Sequence, residues 1–319
     1  MTSPLRLKTL FELTTFKSFN YYKEIINVKS INTFIISSRG DNDTNNKTRE
    51  HIIGAIINNK VPENYFVLTK WLIMKNNVIN YINSLTKQPY VKLECIHKAG
   101  RKNNFDFLIK IYYEPENYKE FKVEFKFNAG TVDETPQFVS PMKPSQYLNN
   151  SYEEFYYENY LNKLTIMGNL EIPSKEEYLK QIHNDKPQCM KKYQELYYNG
   201  CSASSKFTGK QEDINFYNYA KELSNTSITE FINNSELNIT MLTYYLQTTQ
   251  LDKIYMLYNN NSLIKQTINN DDYTLISVTK QPNKYRYECI SKSGKKIKVL
   301  LRWKNGNGIA FPAFQISSS

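Results

Sequence analysis

Two stretches of strict alternation constrain this chain more than anything else in it. Phe105, Phe107, Ile109 and Ile111 alternate with Asp106, Leu108 and Lys110, and further on Phe121, Val123, Phe125 and Phe127 alternate with Lys122, Glu124 and Lys126. A period of two is the strand pattern, because successive side chains point to opposite faces of a sheet. Between them, Glu114-Pro115-Glu116-Asn117 carries the Pro and Asn of a turn. The two stretches therefore read as a hairpin. Glu124 and Lys126 share one face of its second strand, and Asp106, ahead of the apolar run, lies near one end of the first.

Two carboxylates and a lysine in this order are the groups that metal-assisted hydrolysis of a phosphodiester uses. The carboxylates hold Mg²⁺, and the ammonium positions water or offsets developing charge. Glu-x-Lys is a short pattern, however, and Glu120-Phe121-Lys122 repeats it on the same face. An edge strand carrying an alternating charge ladder shows the same letters. Glu124 and Lys126 differ from that first copy in being enclosed by Val123, Phe125 and Phe127. A third carboxylate, Glu50, falls in a stretch read as a helix over residues 44–59, with Asp43 or Thr44 as N-cap and Ile52, Ile53, Ile56 and Ile57 as its apolar stripe. Glu50 shares the face of Ile53 and Ile57. A carboxylate there is costly unless it pairs or meets a cation. The other reading makes it a first-turn residue favoured by the helix dipole.

A helix Glu, a strand-start Asp and a Glu-x-Lys triplet together resemble the PD-(D/E)XK nuclease superfamily, the restriction-endonuclease-like fold. The resemblance covers roughly residues 44–160. It implies that Asp106 and Glu124 are metal ligands, that Lys126 is the catalytic lysine and that Glu50 is an accessory carboxylate. Gln137, in Thr135-Pro136-Gln137-Phe138, would be a further active-site polar group. Mg²⁺ or Mn²⁺ is the implied cofactor and DNA the implied substrate. The chain departs from the pattern in having Phe105, not Pro, before Asp106, and in the long hairpin between Asp and Glu. The stretch from Glu124 to Tyr160, with its Tyr152-Glu153-Glu154-Phe155-Tyr156-Tyr157 run, is also similar to uncharacterised nuclease-like proteins of giant DNA viruses.

Composition limits the alternatives. At 319 residues the chain can bury a sizeable core, in one large domain or two. No apolar run approaches the roughly 18 residues of a membrane helix, and the opening residues lack a secretory apolar core, so an intracellular setting without a membrane is expected. The acid-poor start leaves a transit-peptide reading open. The four cysteines show no Cys-x-x-Cys spacing, so no zinc site is expected. The three histidines offer little material for a metal centre, and His51 is expected to face solvent. A net charge of +10 suggests a polyanionic partner, although Lys-rich chains from AT-rich genomes are basic for codon reasons. A homodimer is left open.

The expected fold is α/β (α+β): a mixed sheet flanked by helices, followed by a helical and β-hairpin C-terminal region. The expected divisions are an N-terminal helical segment (1–40), a nuclease core (41–165) and a C-terminal region (166–319). Residues 5–36, 65–85, 152–165, 175–182, 188–198 and 211–223 read as helical. Near the C-terminus, Glu288-Cys289-Ile290 and the basic residues after it echo Glu94-Cys95-Ile96, each ahead of a hairpin tip. If the unit is duplicated, Leu300 and Arg302 stand where Glu124 and Lys126 would fall. Lys292, Lys295, Lys296, Lys298, Arg302 and Lys304 would then form a basic ribbon for nucleic acid. A catalytically inactive nucleic-acid-binding protein and a virion-associated protein are the rival readings.

Overall fold

The computed structural model describes residues 16–35, 42–98, 103–135 and 142–318. Among them are eight α-helices and eleven strands, a mixed α/β fold. The chain divides into two units, residues 1–135 with 250–268, and residues 136–249 with 269–319.

The first unit is built on a five-stranded sheet. Strands β3 (Lys92–His97), β4 (Phe107–Tyr112) and β5 (Tyr118–Phe127) form an antiparallel meander, and the β4–β5 hairpin turns at Glu114–Asn117 as the alternation requires. Strand β6 (Ile254–Asn259) then lies parallel to β5, and β7 (Ser262–Gln266) closes the sheet. A parallel pair needs a long crossover rather than a tight turn. Here everything between residues 128 and 253 separates the two strands. The sheet therefore takes in residues far beyond 165, and the units do not follow the divisions at 40 and 165.

One sheet face is apolar throughout. Phe107, Ile109, Ile111, Phe121, Val123, Phe125 and Met256 pack with helices α1 (Asn42–Ile57) and α2 (Thr69–Leu85). Helix α1 buries Ile52, Ile53, Ala55 and Ile57. Helix α2 buries Trp71, Met74, Val78, Tyr81, Ile82 and Leu85, the three-and-four spacing of one helical face. Leu72 on the same helix is 44% exposed, and a short 3₁₀ turn, Glu63–Val67, precedes α2 where helix was expected. Asn58, just past α1, ties the helix to the sheet edge. Its side chain accepts from the Cys95 N–H (2.7 Å) and donates to the Cys95 carbonyl (2.8 Å).

The N-terminal helix expected over 5–36 is not what residues 16–35 form. Strands β1 (Phe19–Tyr21) and β2 (Glu24–Ile26) make a hairpin, followed by a 3₁₀ segment, Val28–Phe34. The turn residues Tyr22 (φ 45°) and Lys23 (φ 72°) are both left-handed, a turn that Asn-Gly normally supplies. Neither residue announces it. Tertiary contacts hold the turn: the His97 N–H donates to the Tyr22 hydroxyl (3.3 Å), and the Tyr22 ring stacks on His51.

In the second unit, helices α3 (Tyr152–Tyr156) and α4 (Asn162–Met167) are joined by a π-helical turn, Tyr157–Leu161. Helices α5 (Lys175–Gln181), α6 (Lys191–Gly200), α7 (Gln211–Asn234) and α8 (Ile239–Gln250) follow. Strands β8 (Leu275–Gln281), β9 (Arg286–Ser291), β10 (Lys296–Trp303) and β11 (Pro312–Ser318) form an antiparallel meander. The tyrosines serve its core: the Trp303 indole donates to the Tyr152 hydroxyl (2.9 Å), which also meets Ser227 Oγ (3.0 Å). The Glu-Cys-Ile echo falls on β3 and β9, each the strand before a hairpin tip, with Cys95 and Cys289 both buried. In chain order β10 therefore answers to β4, not to the Glu124 strand, so Leu300 and Arg302 do not stand in the places of Glu124 and Lys126.

Trp71 is fully buried, and its indole N–H donates to the Val28 carbonyl (3.0 Å). Trp71→Phe keeps most of the apolar contact but removes that hydrogen bond. It should cost about 1–3 kcal/mol, read as a lower urea midpoint with an unchanged slope.

Candidate active site

Asp106 and Glu124 lie near each other where the β4–β5 ladder ends, close enough for their charges to act on one another. The ladder's last pair is Phe107 with Val123, and Asp106 and Glu124 are the residues just beyond it on their strands. The Asp106 N–H donates to the Val123 carbonyl (3.0 Å), and the Phe125 N–H donates to Asp106 Oδ2 (2.8 Å). The carboxylate thus ends the ladder, and its orientation is set by backbone.

Like charges brought close in a sheet destabilise it. Two lysines offset the cost here. Lys126, two residues along the same face of β5, donates to Glu124 Oε1 (2.6 Å). Lys253, just before β6, donates to Glu124 Oε2 (3.1 Å) and to the Asn104 carbonyl (2.6 Å). The parallel register that sets Ile254 beside Val123 brings Lys253 to this end of the sheet. Its side chain is only 3% exposed.

Burial and charge act differently on each group. Burial alone would raise the Glu124 carboxyl, but Lys126 and Lys253 outweigh it and hold the group below its ordinary value. Burial opposes the Lys126 charge, yet Glu124 prevails and raises it. For Lys253 burial prevails over Glu124 and lowers it. Asp106 is pushed up to about 7, first by burial and then by the charges of Glu124 and Glu50, against the Phe125 N–H and Lys126.

Glu50 reaches the same end of the sheet from α1. Its charge acts on Asp106 and Lys126, while its Oε2 lies 2.6 Å from His97 Nε2. Because α1 begins at Asn42, Glu50 sits beyond the first turns, where the dipole has faded; it is a half-buried carboxylate, not a first-turn residue. His51, expected to face solvent, is buried instead, with Nδ1 2.8 Å from Glu24 Oε2 but off the hydrogen-bond direction. The Glu120–Lys122 copy belongs to an outer ladder, Glu120 with Lys110 (3.1 Å) and Lys122 with Asp252 (2.8 Å). Gln137 lies outside the described residues.

Sequence reasoning overlooked Lys253 and His97. A signal existed for the first: Lys253 stands immediately before an apolar run, as Asp106 stands before Phe107. Nothing local marked which of the many lysines would fall beside Glu124.

The donor chemistry fits a small hard cation. Two carboxylates lie close together at the end of one strand pair, and burial and the charges of Glu124 and Glu50 drive one of them, Asp106, toward neutrality. Mg²⁺ is typically held by one or two carboxylates, with water and substrate oxygens completing its shell. Among the described residues, no group of three or more His, Cys, Asp or Glu side chains converges as a metal site. Glu50 Oε2 is engaged with His97 Nε2 (2.6 Å).

The basic residues of the second unit are distributed unevenly. Lys296, Lys298 and Arg302 share the outward face of β10, while Ile297, Val299, Leu301 and Trp303 are buried. Lys292 and Lys295 instead meet Asp271 (3.3 Å) and Asp272 (3.1 Å). Lys304 lies over the Phe311 ring.

Neither a scan of protein-family models nor a search of curated proteins finds a match for this chain.

The folded chain keeps the Asp106 proton up to about pH 7, whereas the unfolded chain releases it near pH 4. Between those values the folded state holds more protons, so this group's contribution to stability falls as pH rises, and its full penalty stands above about 7. Asp106→Asn removes the penalty. In metal-free buffer the variant's Tm advantage over wild type should therefore grow from about pH 5 to about pH 8; a difference independent of pH would contradict the raised carboxyl.

Proposed function

We propose that this chain is a metal-dependent nuclease that hydrolyses phosphodiester bonds of DNA, with Asp106, Glu124 and Lys126 at its centre. The observation that carries the reading is the closeness of Asp106 to Glu124 just beyond the last pair of the β4–β5 ladder, with an ammonium on each oxygen of Glu124. An ion pair serving only stability needs one lysine per carboxylate and no second buried acid. This cluster keeps a carboxyl in surplus.

Asp106 and Glu124 would hold the cation, Mg²⁺ or Mn²⁺. When bound, it supplies an activated water and offsets charge on the scissile phosphate. The chain's own groups set the geometry. The Phe125 N–H aims Asp106, and Lys253 fixes the far oxygen of Glu124. Lys126 is the cation that offsets charge developing on the phosphate oxygens or positions the attacking water. His97 orients Glu50 beside the pair. The charge of +10 favours encounter with a polyanion. The outward face of β10 is the basic surface best suited to phosphates, because Lys292 and Lys295 are already paired with acids.

Plasmid cleavage should require Mg²⁺ or Mn²⁺. Lys126→Ala and Asp106→Ala should each lower the rate on the order of a hundredfold or more without unfolding the chain. Glu124→Gln should do likewise, whereas Glu120→Gln should retain most activity. Undiminished cleavage by purified Lys126→Ala would sink the assignment. Binding without cleavage by the wild type would favour the inactive nucleic-acid-binding reading.

Neutralising Lys296, Lys298 and Arg302 together should weaken DNA binding and reduce the slope of log affinity against log salt by roughly two to three. An unchanged slope would leave β10 as a solvated strand only.

A further inference from the structure

A cavity of about 1020 Å³ opens in the second unit. One wall is a single face of α6: Lys191, Gln194, Glu195 and Tyr198 recur at the three-and-four spacing of a helix. The segments 185–188 and 201–206 and Asn305, just after β10, supply the other walls.

Hydrogen bonds hold these walls in place. Gln194 Nε2 donates to the Asp185 carbonyl (2.9 Å) and the Asn305 carbonyl (3.4 Å), and Asn305 Nδ2 donates to Asp185 Oδ1 (2.5 Å). The Gln188 and Cys189 N–H groups both donate to Gln181 Oε1 (2.7 and 3.2 Å). The Ser204 N–H donates to the Cys201 carbonyl (2.9 Å), and the Lys206 N–H to Ser204 Oγ (3.1 Å). The cavity is thus formed by contacts among its own walls before any ligand enters, as small-molecule sites usually are.

We propose that this cavity binds a free nucleotide. Three exposed lysines line it, Lys186, Lys191 and Lys206, and none of them makes an ion pair among the described residues. Other lysines of the same unit are paired: Lys175 with Glu154 (3.3 Å) and Glu158 (2.6 Å), Lys280 with Glu236 (2.6 Å). Of the two acids in the lining, Asp185 already accepts from Asn305, and only Glu195 is left to oppose the lysines. The walls therefore favour an anion. The volume is far more than a lone phosphate fills and stands at the upper end for small-molecule sites. Tyr198, Pro187 and Ala203 give apolar surface suited to a flat base, and Gln188 and Ser205 give polar groups for its edge. Glu195 is an acceptor for a sugar hydroxyl. A sugar phosphate would satisfy the lysines but leave the aromatic and apolar wall unused.

The test is calorimetric titration of the full chain with ATP in the presence of EDTA, so that no divalent ion bridges ligand and protein. Tripolyphosphate carries the charge without the base, and adenosine the base without the charge. ATP should bind at one site, at least about tenfold more tightly than either. Replacing Lys186, Lys191 and Lys206 together by Gln should weaken ATP binding about tenfold or more with Tm unchanged, because all three side chains are exposed. Tyr198→Leu should remove the advantage of ATP over tripolyphosphate; if that variant fails to fold, the lysine variant and the tripolyphosphate comparison still decide. Equal affinity for ATP and tripolyphosphate overturns the proposal, as does unchanged ATP affinity in the lysine variant. A short 5′-phosphorylated single strand that binds through the three lysines where ATP does not would make a strand end the occupant, and overturns the free nucleotide.

Discussion

The antiparallel register of β4 and β5 is the constraint on which the rest of the first unit depends. Pairing Phe107 with Val123 does two things at once. It puts Phe107, Ile109, Phe121, Val123 and Phe125 on the face that meets α1 and α2. It also brings Asp106 and Glu124, the residues just beyond that pair, near each other at the end of the ladder. A slip by one residue would turn the charged face into the core. The apolar packing that fixes the register is therefore also what brings the two carboxylates together.

That meeting carries an electrostatic cost, and the surrounding groups divide it. Glu124 is stabilised as an anion by two lysines, while burial and the charges of Glu124 and Glu50 push Asp106 toward its neutral form. The two carboxyls of one site therefore have pKa values driven apart by environment, an arrangement more common at functional sites than in structural ion pairs. The outer Glu120–Lys110 and Lys122–Asp252 pairs show the contrast on the same strand face. There each charge has one opposite partner, and both acids, Glu120 and Asp252, are more open to solvent than Glu124.

The aromatic and histidine contacts around Tyr22, His51 and His97 give the N-terminal hairpin a role in the same region. Tyr22 adopts a strained left-handed conformation and bonds the β3 backbone at His97, whose ring in turn holds Glu50. Local backbone strain is thus maintained by contacts that lie beside the charged cluster.

The hairpin, the faces of β4 and β5, the helix carrying Glu50 and the proximity of Glu124 to Lys126 were legible in the sequence, because alternation and helical spacing are local signals with a fixed geometric meaning. The turn at Tyr22-Lys23 was not, since neither residue carries the Gly or Asn signature and only tertiary contacts hold it. Lys253 was beyond reach for a deeper reason. It lies 127 positions from Lys126 in a chain with 41 Lys and Arg residues, and only the parallel pairing of β6 with β5 brings it to Glu124. The sequence by itself determined which carboxylates share a strand pair. The tertiary structure decided which cations meet them, because parallel strands are joined through long crossovers whose partners no local pattern specifies.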